Sequence, residues 1–105
     1  MSKIVRLTLF KIPDPALLQE AASKYSTLSQ EATKDGKPYI KVAQAHPTHD
    51  DPRSQGYNFV ARTIFESKAD MDYYDNECEA HGAIKGLLKG KVGGPPLVVY
   101  MDADM

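Results

Sequence analysis

His81 and Tyr74 are the side chains best suited to chemistry in this 105-residue chain. They fall on one stripe with Met71, Cys78, Ile84 and Leu88, at the spacing of a helix that buries one face. An imidazole titrates near neutrality and can take a proton from carbon beside a carbonyl. A tyrosine hydroxyl can donate to the enolate oxygen that forms, provided both groups line a dry cavity. On one continuous helix the pair would stand two turns apart, about 10.5 Å along the axis, so a substrate would have to bridge them. The alternative is that His81 packs at the boundary of helix and sheet.

A second set is drawn from strands. Arg6 and Thr8 share one side of the first strand with Ile4 and Phe10, and Thr63 shares one side of the third with Phe59, Ala61 and Phe65. If those sides line an interior, Arg6, Thr8, Phe59 and Thr63 form a partly polar ligand-binding wall. A buried arginine must be paired, either with an anionic ligand or with a carboxylate of the protein.

Other combinations carry less. His46, His49, Asp50 and Asp51 match no ordinary zinc spacing and sit among prolines, which reads as a solvated loop. Gly90-Lys91-Val92-Gly93-Gly94 follows a helix and precedes a strand, the reverse of a phosphate-binding loop. Cys78, the single cysteine, sits on an apolar stripe and reads as a small hydrophobe. No metal or cofactor is called for.

These residues need a scaffold. Ile4–Ile12 alternates as a strand, and Asp14-Pro15 opens a helix that runs to about Lys34, with Asp35-Gly36 as its stop. Lys37–Ala45 reads as a second strand, 46–56 as a loop and Tyr57–Glu66 as a third strand. Ser67-Lys68-Ala69-Asp70 opens a second helix, ending at Gly90, and Leu97–Met101 is a continuous apolar strand expected to be buried on both sides. Asp102–Met105 reads as a loose tail. The order is βαββαβ, an α+β ferredoxin-like unit with both helices on one face of a four-stranded antiparallel sheet. The other face is expected to bear Phe10, Phe59, Phe65 and part of the last strand, too apolar a surface for a soluble monomer. A homodimer, with the two sheets closing into a barrel, follows.

Composition agrees with one small domain spanning residues 1–105. Thirteen Lys and Arg against fourteen Asp and Glu lack the basic field that nucleic acid demands. The opening residues break their apolar run at Arg6 and Lys11, so neither a signal segment nor a membrane span is expected. A lone thiol fits a reducing, cytoplasmic setting.

Taken in order, Leu9-Phe10-Lys11, Gly56-Tyr57-Asn58-Phe59, Phe65-Glu66-Ser67, Ala69-Asp70-Met71-Asp72-Tyr73-Tyr74 and Ala80-His81 resemble the stress-responsive dimeric α/β-barrel (Dabb) family over nearly the whole chain. That resemblance implies a homodimeric barrel, a link to stress in some members and an unknown biochemistry in most; the reading drawn from it is a stress-responsive barrel protein that holds a small organic molecule in a cavity between the second helix and the sheet. It is similar in fold to olivetolic acid cyclase, a plant polyketide cyclase, and to fern hydroxynitrile lyases. The cyclase's helical histidine, its base, maps to His81, and its tyrosine to Tyr74 or Tyr73, since this chain has one more residue between aromatic and His. It departs from the cyclase in carrying Phe59 where a cavity histidine follows the Gly-Tyr pair, and no histidine on the first strand. The enzymatic alternative is therefore a cofactor-free cyclase or lyase acting on an aromatic or carbonyl-containing substrate.

Overall fold

A computed structural model describes residues 3–103; Met1, Ser2, Asp104 and Met105 lie outside the described residues, while Asp102 and Ala103 of the expected tail continue the last strand, paired with Ile4 and Lys3. The elements are β1 (Lys3–Phe10), α1 (Pro15–Ser26), α2 (Leu28–Glu31), β2 (Thr33–Lys34), β3 (Lys37–Pro38), β4 (Ile40–Pro47), β5 (Phe59–Phe65), α3 (Lys68–Asn76), α4 (Glu79–Leu88) and β6 (Leu97–Ala103). Four strands pair antiparallel in the order β4-β5-β1-β6. This is the ferredoxin-like arrangement, with β2 and β3 added as a small hairpin.

Both long helices of the expected pattern are interrupted. The Asp14 carboxylate caps α1 by accepting from Ala16 N at 2.9 Å, with Pro15 at the first helical position. The helix stops at Ser26 rather than near Lys34, and after a single further turn, α2, the chain is already in β2. Asp35-Gly36 is the turn of the β2-β3 hairpin instead of a helix stop. Its φ angles of +54° and +78° are the two positive values a type I′ turn requires.

Strand register settles which face the helices cover. Ile4 pairs with Phe65, Arg6 with Thr63, Thr8 with Ala61 and Phe10 with Phe59; cross-strand partners share a face, and all eight are buried. They lie beneath the helices, where Tyr25, Met71, Tyr74 and Ile84 complete the core. Phe10, Phe59 and Phe65 are therefore not on the uncovered face. Alternation shows which residues share a side and leaves open which side the helices take. The uncovered side carries Val5, Leu7 and Leu9 on β1, Val60, Arg62 and Ile64 on β5, and their β6 partners Leu97, Val99 and Met101. Val5 and Ile64 are buried there, yet outside the helix-side core.

β6 also departs from expectation. It is an edge strand, and its residues from Leu97 to Met101 are 41–49% exposed instead of buried on both sides. The helices pack over β4 and β5 and leave β6 bare.

Candidate active-site pocket

The site depends on a break in the second helical segment. Ser67 Oγ caps α3 by accepting from Asp70 N at 3.2 Å, but the helix ends at Asn76. Glu77 N and Cys78 N both donate to the Tyr73 carbonyl, at 2.8 and 3.0 Å, and Cys78 turns to an extended conformation before α4 begins. The new direction of α4 folds His81 back over Tyr74. Their rings stack with centroids 3.6 Å apart and planes within 7°, and His81 Nδ1 donates to the Tyr74 carbonyl at 2.8 Å. The expected two-turn separation is thus replaced by direct contact, because the helix is not continuous.

That hydrogen bond chooses the tautomer. With its proton on Nδ1, the neutral ring keeps a free lone pair on Nε2. His81 is only 5% exposed, and burial lowers its pKa from 6.5 to about 4, outweighing the upward pull of the Tyr74 carbonyl. At neutral pH it is an uncharged proton acceptor.

The His81 ring helps line a pocket of about 310 Å³ between α4, α1 and the end of β1, whose other walls include Phe10, Tyr25, Ile84, Leu88 and Val92. Tyr25 comes from the buried face of α1. It is 1% exposed, and burial pushes its hydroxyl up to about 12, with Arg6 and Tyr74 opposing in part, so it is held as a hydroxyl donor. A polar-tipped ring within an otherwise aliphatic stripe of Leu18, Ala21, Ala22 and Leu28 was its signal in the sequence.

Tyr74 lies beneath the His81 ring rather than on the pocket wall. Its hydroxyl is buried without a partner, and burial drives its pKa far upward. Tyr73 points elsewhere: its hydroxyl donates to the Thr33 carbonyl at 3.2 Å, and its ring meets Tyr39 edge-on. Of the three sequence-derived catalytic residues, the structure puts His81 on the pocket, Tyr74 against it, and Tyr73 on another side of α3.

The strand set forms the layer below. Arg6 Nη2 donates to Asp75 Oδ1 and Nη1 to Thr8 Oγ1, each at 2.8 Å, and its guanidinium stands 5.3 Å from the Tyr74 ring centre. A protein carboxylate therefore supplies the partner that a buried arginine needs. Thr63 Oγ1 and Arg6 Nε are buried without partners. Phe59 packs between Phe10 and Tyr25, 6.1 Å from each ring centre. Arg6, Thr8, Phe59 and Thr63 support the pocket from behind and do not line it.

Elsewhere, His46 and His49 are exposed and Asp51 is paired with Arg53 at 2.8 Å. Among the described residues no group of three or more His, Cys, Asp or Glu side chains is arranged to hold a metal ion. Among them, too, no helix is long and apolar enough to cross a membrane.

This architecture defines a class, the α+β proteins of ferredoxin-like fold. A dimeric protein of this fold from Bacteroides fragilis superposes with a TM-score of 0.78 at 13% identity, covering 98% of each chain. A hydroxynitrile lyase from Passiflora edulis matches with a TM-score of 0.78 at 11% identity, over 98% of this chain and 94% of the lyase. A putative antibiotic biosynthesis monooxygenase from Caulobacter crescentus gives 0.74 at 13% identity, over 99% and 92%. Within that class the Stress responsive A/B Barrel Domain (Dabb) family model matches residues 4–92, and the chain belongs to this family. A curated relative, the fusaristatin A biosynthesis cluster protein of Gibberella zeae, is 38% identical over 86 residues, which are 82% of this chain. The match spans 62% of that relative's length.

Proposed function

We propose that this protein binds a small, mainly apolar organic molecule in the pocket beneath α4, with His81 Nε2 as its polar anchor. The observation that carries this reading is the 2.8 Å bond from His81 Nδ1 to the Tyr74 carbonyl, which presents a neutral, oriented imidazole to an apolar cavity. The relative tied by name to fusaristatin A biosynthesis supports a role in small-molecule metabolism.

The same geometry supports a second reading, a cofactor-free lyase or cyclase. His81 Nε2 would take a proton from carbon beside a carbonyl, the electron pair moving into the carbonyl to leave an enolate oxygen. A hydroxyl donor would hold that oxygen. Tyr25, which lines the pocket, is better placed for this than Tyr74 beneath it or Tyr73 on the far side of α3. A lyase of the same fold makes the chemistry reasonable for such a scaffold.

A second copy of the chain would cover the apolar sheet face bearing Leu7, Leu9 and Val99, as the dimeric relatives of this fold suggest. The buried single thiol of Cys78 suits a reducing cytoplasm, and a stress-linked role accords with the family.

The test is an NMR titration of the His81 ring signals, assigned with His81→Gln, against small aromatic acids, phenols and ketones. Saturable shifts confined to His81 and its pocket neighbours are expected, and silence across the panel would overturn ligand binding. For any member of the panel that is turned over, His81→Ala should abolish turnover while leaving the dimer intact; unchanged turnover would remove His81 as the base.

A further inference from the structure

Two cations stand on a pocket wall that carries no carboxylate. Lys85 on α4 and Lys89 immediately after its last residue lie four and eight residues beyond His81, and both line the pocket while being exposed to solvent. Across the chain acidic groups slightly outnumber basic ones, so two lysines with no acid is a local reversal of the protein's charge. Among the described residues neither lysine is in an ion pair, whereas six other cations are. Lys85 Nζ donates to the Asp75 main-chain carbonyl at 2.6 Å, which fixes its position without neutralising its charge. Long lysine stems lie along apolar surface and hold their ammonium groups at the water boundary. Here that boundary is the pocket mouth. Between them Gly86 contributes no side chain, and a Cβ built there would meet nothing within 4 Å.

We infer that the pocket selects an amphipathic anion, a carboxylic acid whose apolar or aromatic body fills the space beneath α4 while its carboxylate meets Lys85 and Lys89 at the mouth. This inference rests on the pocket being a ligand site and adds the chemical class of the ligand. Besides the lysines, the polar residues lining the cavity are a neutral histidine and a protonated tyrosine, which cannot neutralise an anion. The charge of the ligand therefore belongs at the rim, where water and the ammonium groups share it.

The test compares 4-phenylbutanoate with its uncharged amide, 4-phenylbutanamide, by calorimetry on the full chain and on three variants. In the unaltered protein the acid should bind about three- to tenfold tighter than the amide, the range two exposed charge contacts provide. In the Lys85→Gln/Lys89→Gln variant the two affinities should converge, and high salt should narrow the gap in the unaltered protein. Lys24→Gln, on the exposed surface of α1 away from the pocket, should leave the gap unchanged. Gly86→Leu, whose side chain would enter the pocket mouth, should weaken both probes. Equal affinity of acid and amide, lost in Gly86→Leu, would overturn anion selection while leaving the ligand pocket standing. A preference for the acid that survives in the double variant would overturn the assignment to these lysines. Failure of both probes to bind would overturn the pocket reading itself, and the inference with it.

Discussion

Protonation of His81 ties the candidate site to stability. The unfolded chain protonates this imidazole near 6.5, and the folded protein only near 4. Between those values the unfolded state binds more protons, so stability is full above 6.5 and falls as pH is lowered toward 4, by on the order of 3 kcal/mol. Urea denaturation at stepped pH should show this slope and should show it flattened in His81→Gln. The Arg6–Asp75 pair gives a second outcome at this scale. Asp75→Asn would leave a guanidinium that is almost fully enclosed with a weaker, uncharged partner. Because the Asp75 side chain itself is 33% exposed, a loss of about 2 kcal/mol is expected, between the values for surface and buried pairs. An unchanged urea midpoint would show that water replaces the carboxylate. His81, Tyr74 and Arg6 were all legible as singular residues, since a polar group on an apolar stripe or strand must find a partner wherever it lies. Their partners were not: the Tyr74 carbonyl meets His81 through a change of chain direction that no local pattern marks, and Asp75 meets Arg6 through the packing of α3 on the sheet.

The breaks between elements do most to shape the site. Met71, Tyr74, Cys78, His81, Ile84 and Leu88 keep helical spacing straight through Glu77-Cys78, with neither Gly nor Pro to mark an interruption. Continuous periodicity therefore concealed the turn that stacks His81 on Tyr74. At Asp35-Gly36 the opposite happened. The dipeptide is a strong hairpin signal, but after a helical stretch it reads equally as a helix terminus. With Gly36 at φ +78°, a Gly36→Val substitution should cost about 1–2 kcal/mol through backbone strain alone, since nothing lies within 4 Å of an added Cβ. Gly86, exposed in the interior of α4 with open space around it, should behave in the reverse way. Gly86→Ala is expected to raise stability by about 0.5–1 kcal/mol, read as a higher melting temperature.

At the scale of the whole molecule, one sheet face is covered by helices and the other presents Leu7 and Leu9 beside Leu97, Val99 and Met101 of the exposed edge strand. A second copy packed on that face would bury these side chains, so light scattering should give twice the chain mass. Val99→Lys should shift the protein toward monomer without disturbing the pocket, which lies on the opposite side of the sheet; a Val99→Lys protein that remains dimeric would place the interface elsewhere. The amino-acid sequence by itself determined the βαββαβ order, the residues that share each strand face, the family, and His81 as the one imidazole on the apolar stripe of its helix. Those properties follow from local periodicity and residue chemistry, which act over a few neighbouring positions. Only the tertiary structure decided that Phe10, Phe59 and Phe65 lie under the helices, that β6 is bare, that Asp75 pairs with Arg6, and that Tyr25 joins His81 on the pocket wall. Each is a choice between locally equivalent alternatives, and only the simultaneous packing of helices against the whole sheet makes one of them lower in free energy.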